Sequence, residues 1–197
     1  MKIPKNVLIL VIAFVVIIAG AIFANKDSST DSLVDEMNKI SQEHPEWTEF
    51  TSGVLDLTSQ EIPTDENKIV EYYLKLGLAW KSLADRTREA DHYLKALEAY
   101  NIGIDISDER NLVFLNNAGN MAKYAKDYEL SKYYFEKSTE NFPGDGEAYV
   151  NLAELHSDFL GSDRETVIGV YDKGIKRMLD PTALIDRKNR YLNSLEE

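Results

Sequence analysis

An imidazole can act as a general base, as a partner to a nucleophile or as a metal ligand, and this chain has three: His44, His92 and His156. They stand far apart, and none has an H-E-x-x-H neighbourhood or a nearby acid pair at metal-ligand spacing. The run PGDG at 143–146 could cradle an anion on successive backbone N–H groups, but the same residues make a turn between two helices, and a turn is the expectation. DISDER at 105–110 lacks the Gly and the closing Glu of a calcium loop and reads as a solvated helix end. Neither G-x-S-x-G, nor G-x-x-x-x-G-K, nor G-x-G-x-x-G occurs. With no cysteine there is no disulfide, thiolate zinc site or Cys nucleophile. The expectation is a protein that is not an enzyme and takes no metal and no cofactor, so its work is binding.

Charge narrows what it binds. Lys and Arg total 22 against 34 for Asp and Glu, a formal net charge of -12, which repels a phosphate backbone and argues against nucleic acid. At 197 residues and 44% hydrophobic, the chain can bury one substantial core and still carry appendages.

One appendage is plain. Residues 7–24, VLILVIAFVVIIAGAIFA, contain no polar side chain, and as a helix these 18 residues span about 27 Å, enough to cross a bilayer's hydrocarbon core. A run apolar on every side has no face to show water, which argues against a buried soluble helix. Two readings stand: a transmembrane anchor, or a signal peptide cut after Ala21 or Ala24. Length favours the anchor, because the apolar part of a signal peptide is usually about 7–15 residues. Lys2 and Lys5 precede the span, so the positive-inside bias keeps residues 1–6 in the cytoplasm, although Lys26 beyond it weakens the asymmetry. Residues 1–26 carry three lysines and no acid, leaving -12 minus 3, or -15, for the part sent across. The expected product is a single-pass membrane protein with an extracytoplasmic domain, periplasmic or cell-surface in a bacterium, or a secreted form if the span is cleaved.

Residues 25–31, ending in DSSTD, form a polar linker. A preceding helical segment follows at 32–62. Leu33, Met37 and Ile40 sit at spacings of four and three on a weakly amphipathic helix that His44-Pro45 ends. Trp47, Phe50, Val54, Leu55 and Leu57 suggest a further helix, weakened by Gly53. Pro63 and Thr64 then open a strong helix, IVEYYLKLGLAWKSLADR.

That helix begins a pattern that recurs. Tyr73, Leu76, Gly77 and Trp80 are followed by Ala96 and Tyr100; Leu115, Ala118, Gly119 and Ala122 by Ser131, Phe135 and Pro143; Tyr149, Leu152, Ala153 and His156 by Val167 and Tyr171. These match the W-x2-L-G-x2-Y and A-x3-F spacings of a tetratricopeptide (TPR) repeat, and Gly119 to Ala153 is the 34-residue family period. The chain therefore resembles a tetratricopeptide-repeat protein. The resemblance implies an all-α solenoid of about three helical hairpins over 63–180, with 181–197 as a capping helix: Leu184, Tyr191 and Leu195 facing inward, Asp186, Arg187 and Lys188 outward. Gly77, Gly119 and Ala153 would let paired helices approach, with Tyr100, Phe135 and Tyr171 filling the space between them. Two departures from the pattern are expected to lengthen turns: about seven extra residues around ADRTREAD, and about two around GSDRE. Ser131 and Ser138 stand in place of alanines, with hydroxyls able to bond back to the preceding turn. His156 falls where a packing aromatic is expected.

In peptide-binding members of such a family, asparagines on the first helix of each hairpin hold a ligand's backbone, and Asn120 and Asn151 match those places. Asn116 lies one turn before Asn120. Val113, Asn116, Glu147 and Asn151 stand where a carboxylate clamp would need Lys or Arg, so a chaperone-type clamp is not expected. Glu147, Glu154 and Asp158 give the same face an acidic rim, with Lys123 the exception, which favours a basic partner segment. Two functions are carried forward: a membrane-anchored module that holds a partner protein or peptide, such as an assembly factor for an envelope complex, and a structural subunit that uses the array for self-association, as a homo-oligomer or as a brace in a membrane machine.

Overall fold

The computed structural model describes residues 31–196, and every regular element among them is a helix. The expectations for the cytoplasmic tail, the apolar span and most of the linker fall on residues 1–30, outside those described. Among the described residues no helix is long and apolar enough to cross a membrane.

The described residues divide into two compact units, one ending at Ile62 and one beginning at Pro63. In the first, helix α1 covers residues 31–43 and buries Leu33, Met37 and Ile40. His44 and Pro45 end it, with the His44 ring stacked 4.2 Å from that of Trp47 over one 3-10 turn, Pro45–Trp47. Helix α2 (Thr48–Ser59) runs through Gly53 and buries Thr51, Val54 and Thr58.

The second unit holds α3 (Glu66–Thr87), α4 (Ala90–Ile106), α5 (Leu112–Tyr124), α6 (Tyr128–Asn141), α7 (Gly146–Asp158), α8 (Arg164–Ile175) and α9 (Thr182–Ser194). Each packs on the next in chain order, and α7 also meets α9. Asx side chains set most of the starts: Asp65, Asn111, Asp127, Asp145 and Asp163 each accept from backbone N–H groups in the first turn of α3, α5, α6, α7 and α8. The turns inside the three hairpins share one device, a left-handed residue shortly after the first helix: Arg88, Lys126 and Gly161, with φ of 63°, 66° and 61°.

Close approach of the helices rests on missing side chains. A Cβ at Gly77 would lie 2.3 Å from the Tyr100 ring, and one at Gly119 would lie 2.5 Å from that of Phe135, so each hairpin closes by seating an aromatic ring on glycine. In the third hairpin Ala153, Tyr149, Val167, Tyr171 and Leu184 form one buried cluster. Two further contacts follow the same rule between successive elements. A Cβ on Gly103 of α4 would strike the Phe114 ring of α5, and one on Gly174 of α8 would strike Leu184 of α9 and Tyr149 of α7.

Several expectations need correction. The extra residues of the first hairpin do not lengthen its turn, which is only Arg88 and Glu89; they continue α3 to 22 residues and α4 to 17, because ADRTREAD contains no helix breaker. In the third hairpin the extra residues do lie in the connection, from Phe159 to Asp163. Neither serine bonds back to its own helix: Ser138 Oγ donates to Asn116 of α5, and Ser131 Oγ is buried with no partner among the described residues. On α9, Leu184 and Tyr191 do pack inward, but Leu195 is exposed beyond the last turn, and Lys188 is drawn in to Asp172 at 2.6 Å.

Candidate functional site

Seating Gly119 on Phe135, with Ala118 and Ala122 buried beside it, fixes the rotation of α5 and leaves Val113, Asn117, Asn120 and Tyr124 on its open side. On α7 the buried set Tyr149, Leu152, Ala153 and His156 likewise leaves Glu147, Asn151, Glu154 and Asp158 outward. Lys123 of α5 lies within electrostatic reach of Glu154 and Asp158 of α7, so the two stripes adjoin. Burial draws the half-buried Lys123 ammonium below the usual lysine range, and the two carboxylates act against that shift.

The amides on this face are short of partners. Asn151 Nδ2 is buried with nothing to donate to, and no hydrogen bond engages the Asn120 side chain among the described residues. The acidic rim is weaker than the sequence suggests, because Arg187 of α9 reaches Glu154 at 3.4 Å, and Lys123 and Arg187 together offset two of its three carboxylates. Both members of that ion pair are well exposed, so it contributes little stability. Glu147 borders a groove between α7 and α9 lined by Val150, Met178, Leu184, Arg187 and Arg190.

Asn116 belongs elsewhere. It is 9% exposed; its Nδ2 donates to Asp145 Oδ2 at 3.1 Å and its Oδ1 accepts from Ser138 Oγ at 2.7 Å. Asp145 also caps α7, so one buried amide, engaged through both Nδ2 and Oδ1, ties α5, α6 and the start of α7 together and is turned away from the open face. The physical reason is angular: four residues back from Asn120 is a rotation of about 40°, which here carries the side chain from the open to the buried side. Arg187, Asn117 and Tyr124 are the members of the face that the sequence did not single out. Arg187 lies more than one helix away along the chain, and only the packing of α9 on α7 brings it in.

The histidines are held by local structure. His92 Nδ1 lies 2.8 Å from Thr87 Oγ1 across the first hairpin turn, and His156 Nδ1 lies 2.8 Å from Ser162 Oγ across the third. Burial lowers the pKa of His156, with Lys132 adding to the effect and Glu136 and Glu129 opposing it. Burial pushes the Tyr73 hydroxyl up to about 12 and that of Tyr100 further, so both stay protonated. The residues 143–146 form the connection into α7, and 105–110 span the end of α4, where Asp108 and Glu109 take positive φ. Among the described residues no group of acids and histidines is placed to hold a metal.

No family model matches this chain, and no curated protein matches it. Solved structures do match. A crystal structure of BtubC (BKLC) from P. vanneervenii superimposes with a TM-score of 0.51 at 16% identity, over 83% of this chain and 79% of that one. At that identity the likeness is one of fold.

Proposed function

We propose that the chain is a membrane-anchored array of three tetratricopeptide-like hairpins, closed by α9, that holds a segment of a partner protein against the face made by α5 and α7. The observation that carries this reading is a pair of amides on adjoining stripes: Asn151, whose Nδ2 is buried without an acceptor, and the half-exposed Asn120, whose side chain makes no hydrogen bond among the described residues. A buried donor without an acceptor costs about 1–3 kcal/mol, which a partner's backbone carbonyl would recover once the half-buried Asn151 side chain turns outward to meet it. Glu147 and Asp158 leave the face slightly acidic beside Lys123 and Arg187, and the chain as a whole is at -12, which favours a basic segment. The apolar run at 7–24 supplies the anchor and the lysines before it the orientation, with the array outside the cytoplasm. Anchoring keeps the array at the membrane surface and raises its effective concentration toward partners there.

The double variant Asn120→Ala with Asn151→Ala tests this reading. Partner recovery from intact membranes should fall, and recovery by the parent protein should itself fall as salt is raised, while the variant melts no lower than the parent because the alanine removes the unpaired Asn151 donor. Recovery of the same partners at the same yield would place binding elsewhere.

A second reading, a structural subunit that associates with its own kind, is favoured by exposed apolar side chains on α9 and just past its end, Ile185 at 39% and Leu195 at 49%. Its mark would be a homo-oligomer that Ile185→Asp dissociates.

A further inference from the structure

Among the described residues six glycines lie inside helices, and four have an internal reason: Gly77, Gly103, Gly119 and Gly174 each receive a ring or a leucine methyl that a Cβ would strike. Gly53 in α2 has none, and neither does Gly169 in α8. A Cβ there would meet nothing within 4 Å, so the residue forgoes about 1 kcal/mol of helix propensity with no packing return inside the chain.

It sits where two surface grooves meet. One runs between α6 and α8, floored by Leu152 and Val170, with Glu136 and Glu140 on one wall and Thr166 and Lys173 on the other. The second lies on the opposite flank of α8, along Ile168, Lys176 and Arg177. The missing side chain at Gly169 is the saddle between them. Charge gives the site direction: the α6 wall is acidic, while Lys173 of α8 faces it, with Lys176 just past the end of α8 on the second groove; both are exposed and in no ion pair among the described residues, and of the two carboxylates on that second groove, Glu165 and Asp172, the latter is paired with Lys188. Cations near a helix C-terminus suit its dipole, which accounts for their sign but not for the open glycine or the apolar floor.

We propose that the α6–α8 groove is a second docking surface, separate from the α5–α7 face, for an amphipathic helix of a partner protein. The helix seats a bulky apolar side chain over Gly169, as Phe135 is seated over Gly119, and carries carboxylates toward Lys173 and Lys176 and cations toward Glu136 and Glu140.

The probe is a synthetic helical peptide with Phe at the centre of its apolar stripe, Glu on one flank and Lys on the other, titrated into the full-length protein in detergent. Saturable binding is expected, weakened about tenfold or more by Gly169→Phe, which fills the saddle. Gly169→Ala should also weaken binding while raising the melting temperature, so lost binding is separable from lost folding. Lys173→Glu with Lys176→Glu makes both walls acidic, and should weaken this peptide while tightening one with Lys on both flanks. Absence of binding at about millimolar peptide, or binding indifferent to Gly169→Phe and to the charge reversal, would overturn the proposal.

Discussion

Gly119→Ala and Gly169→Ala add the same methyl to the same kind of helix, and we expect them to shift stability in opposite directions. Replacing an interior helical glycine by alanine gains about 0.8–1 kcal/mol of helix propensity. At Gly169 no atom lies within 4 Å of the new methyl, so the gain is kept. At Gly119 the methyl would lie 2.5, 2.7 and 2.9 Å from Cε1, Cδ1 and Cζ of Phe135. Carbon contacts settle at about 3.5–4.0 Å, so the ring must withdraw by about 1 Å. Phe135 has no exposed surface and packs with Leu152 and Leu155, so the displacement spreads into α7. Overfilling of this kind costs about 1–3 kcal/mol, more than the propensity gain. The two variants should differ by about 2 kcal/mol, roughly 6–12 °C in Tm for a unit of this size. Urea and thermal melts of the full-length proteins followed by far-UV circular dichroism measure it. A Gly119→Ala protein at least as stable as the parent would refute the ring-on-glycine account of the hairpins, as would equal destabilisation at both sites.

Phe135→Ala leaves a cavity against α5 and α7 and should cost about 3–5 kcal/mol in the same melts. Asn116→Ala strands Ser138 Oγ and one contact of Asp145, and should cost about 1–3 kcal/mol, whereas Asn120→Ala should cost less than about 0.5 kcal/mol. Equal effects at the two asparagines would contradict their assignment to the buried and open sides. His156 has its folded-state pKa lowered from 6.5, so as pH falls below 6.5 the unfolded chain takes up a proton that the folded chain resists, and stability is lost on acidification. Urea midpoints at about pH 7.5 and 5.5 should therefore diverge more in the parent than in His156→Gln; an unchanged difference would remove His156 from the pH response.

The hairpins were legible because their contacts are local and of one kind. Gly77 with Tyr100 and Gly119 with Phe135 join helices adjacent in sequence, so spacing alone pairs them. Gly103 with Phe114 and Gly174 with Leu184 obey the same steric rule but join one hairpin to the next element, and no spacing within a single repeat points to them. Turn length in the first hairpin is not legible in the sequence, because extra residues without a breaker can extend two helices as readily as a loop. The face was only half legible. Asn120 and Asn151 lie outward as expected, but a rotation of 40° separates an open position from a buried one, and Asn116 falls on the wrong side of that line. Arg187 could not be placed from sequence, since its pairing with Glu154 depends on how α9 lies against α7.

The claim that a partner segment occupies the α5–α7 face is tested most directly by position-specific photo-crosslinking in intact membranes. A benzophenone side chain is placed at Asn120, at Asn151 or, as a control, at the exposed Glu98 of α4. The account predicts one crosslinked partner band shared by positions 120 and 151, lost at high salt and absent from position 98. A band of equal strength from Glu98, or none from either asparagine while that partner still co-purifies, would contradict it.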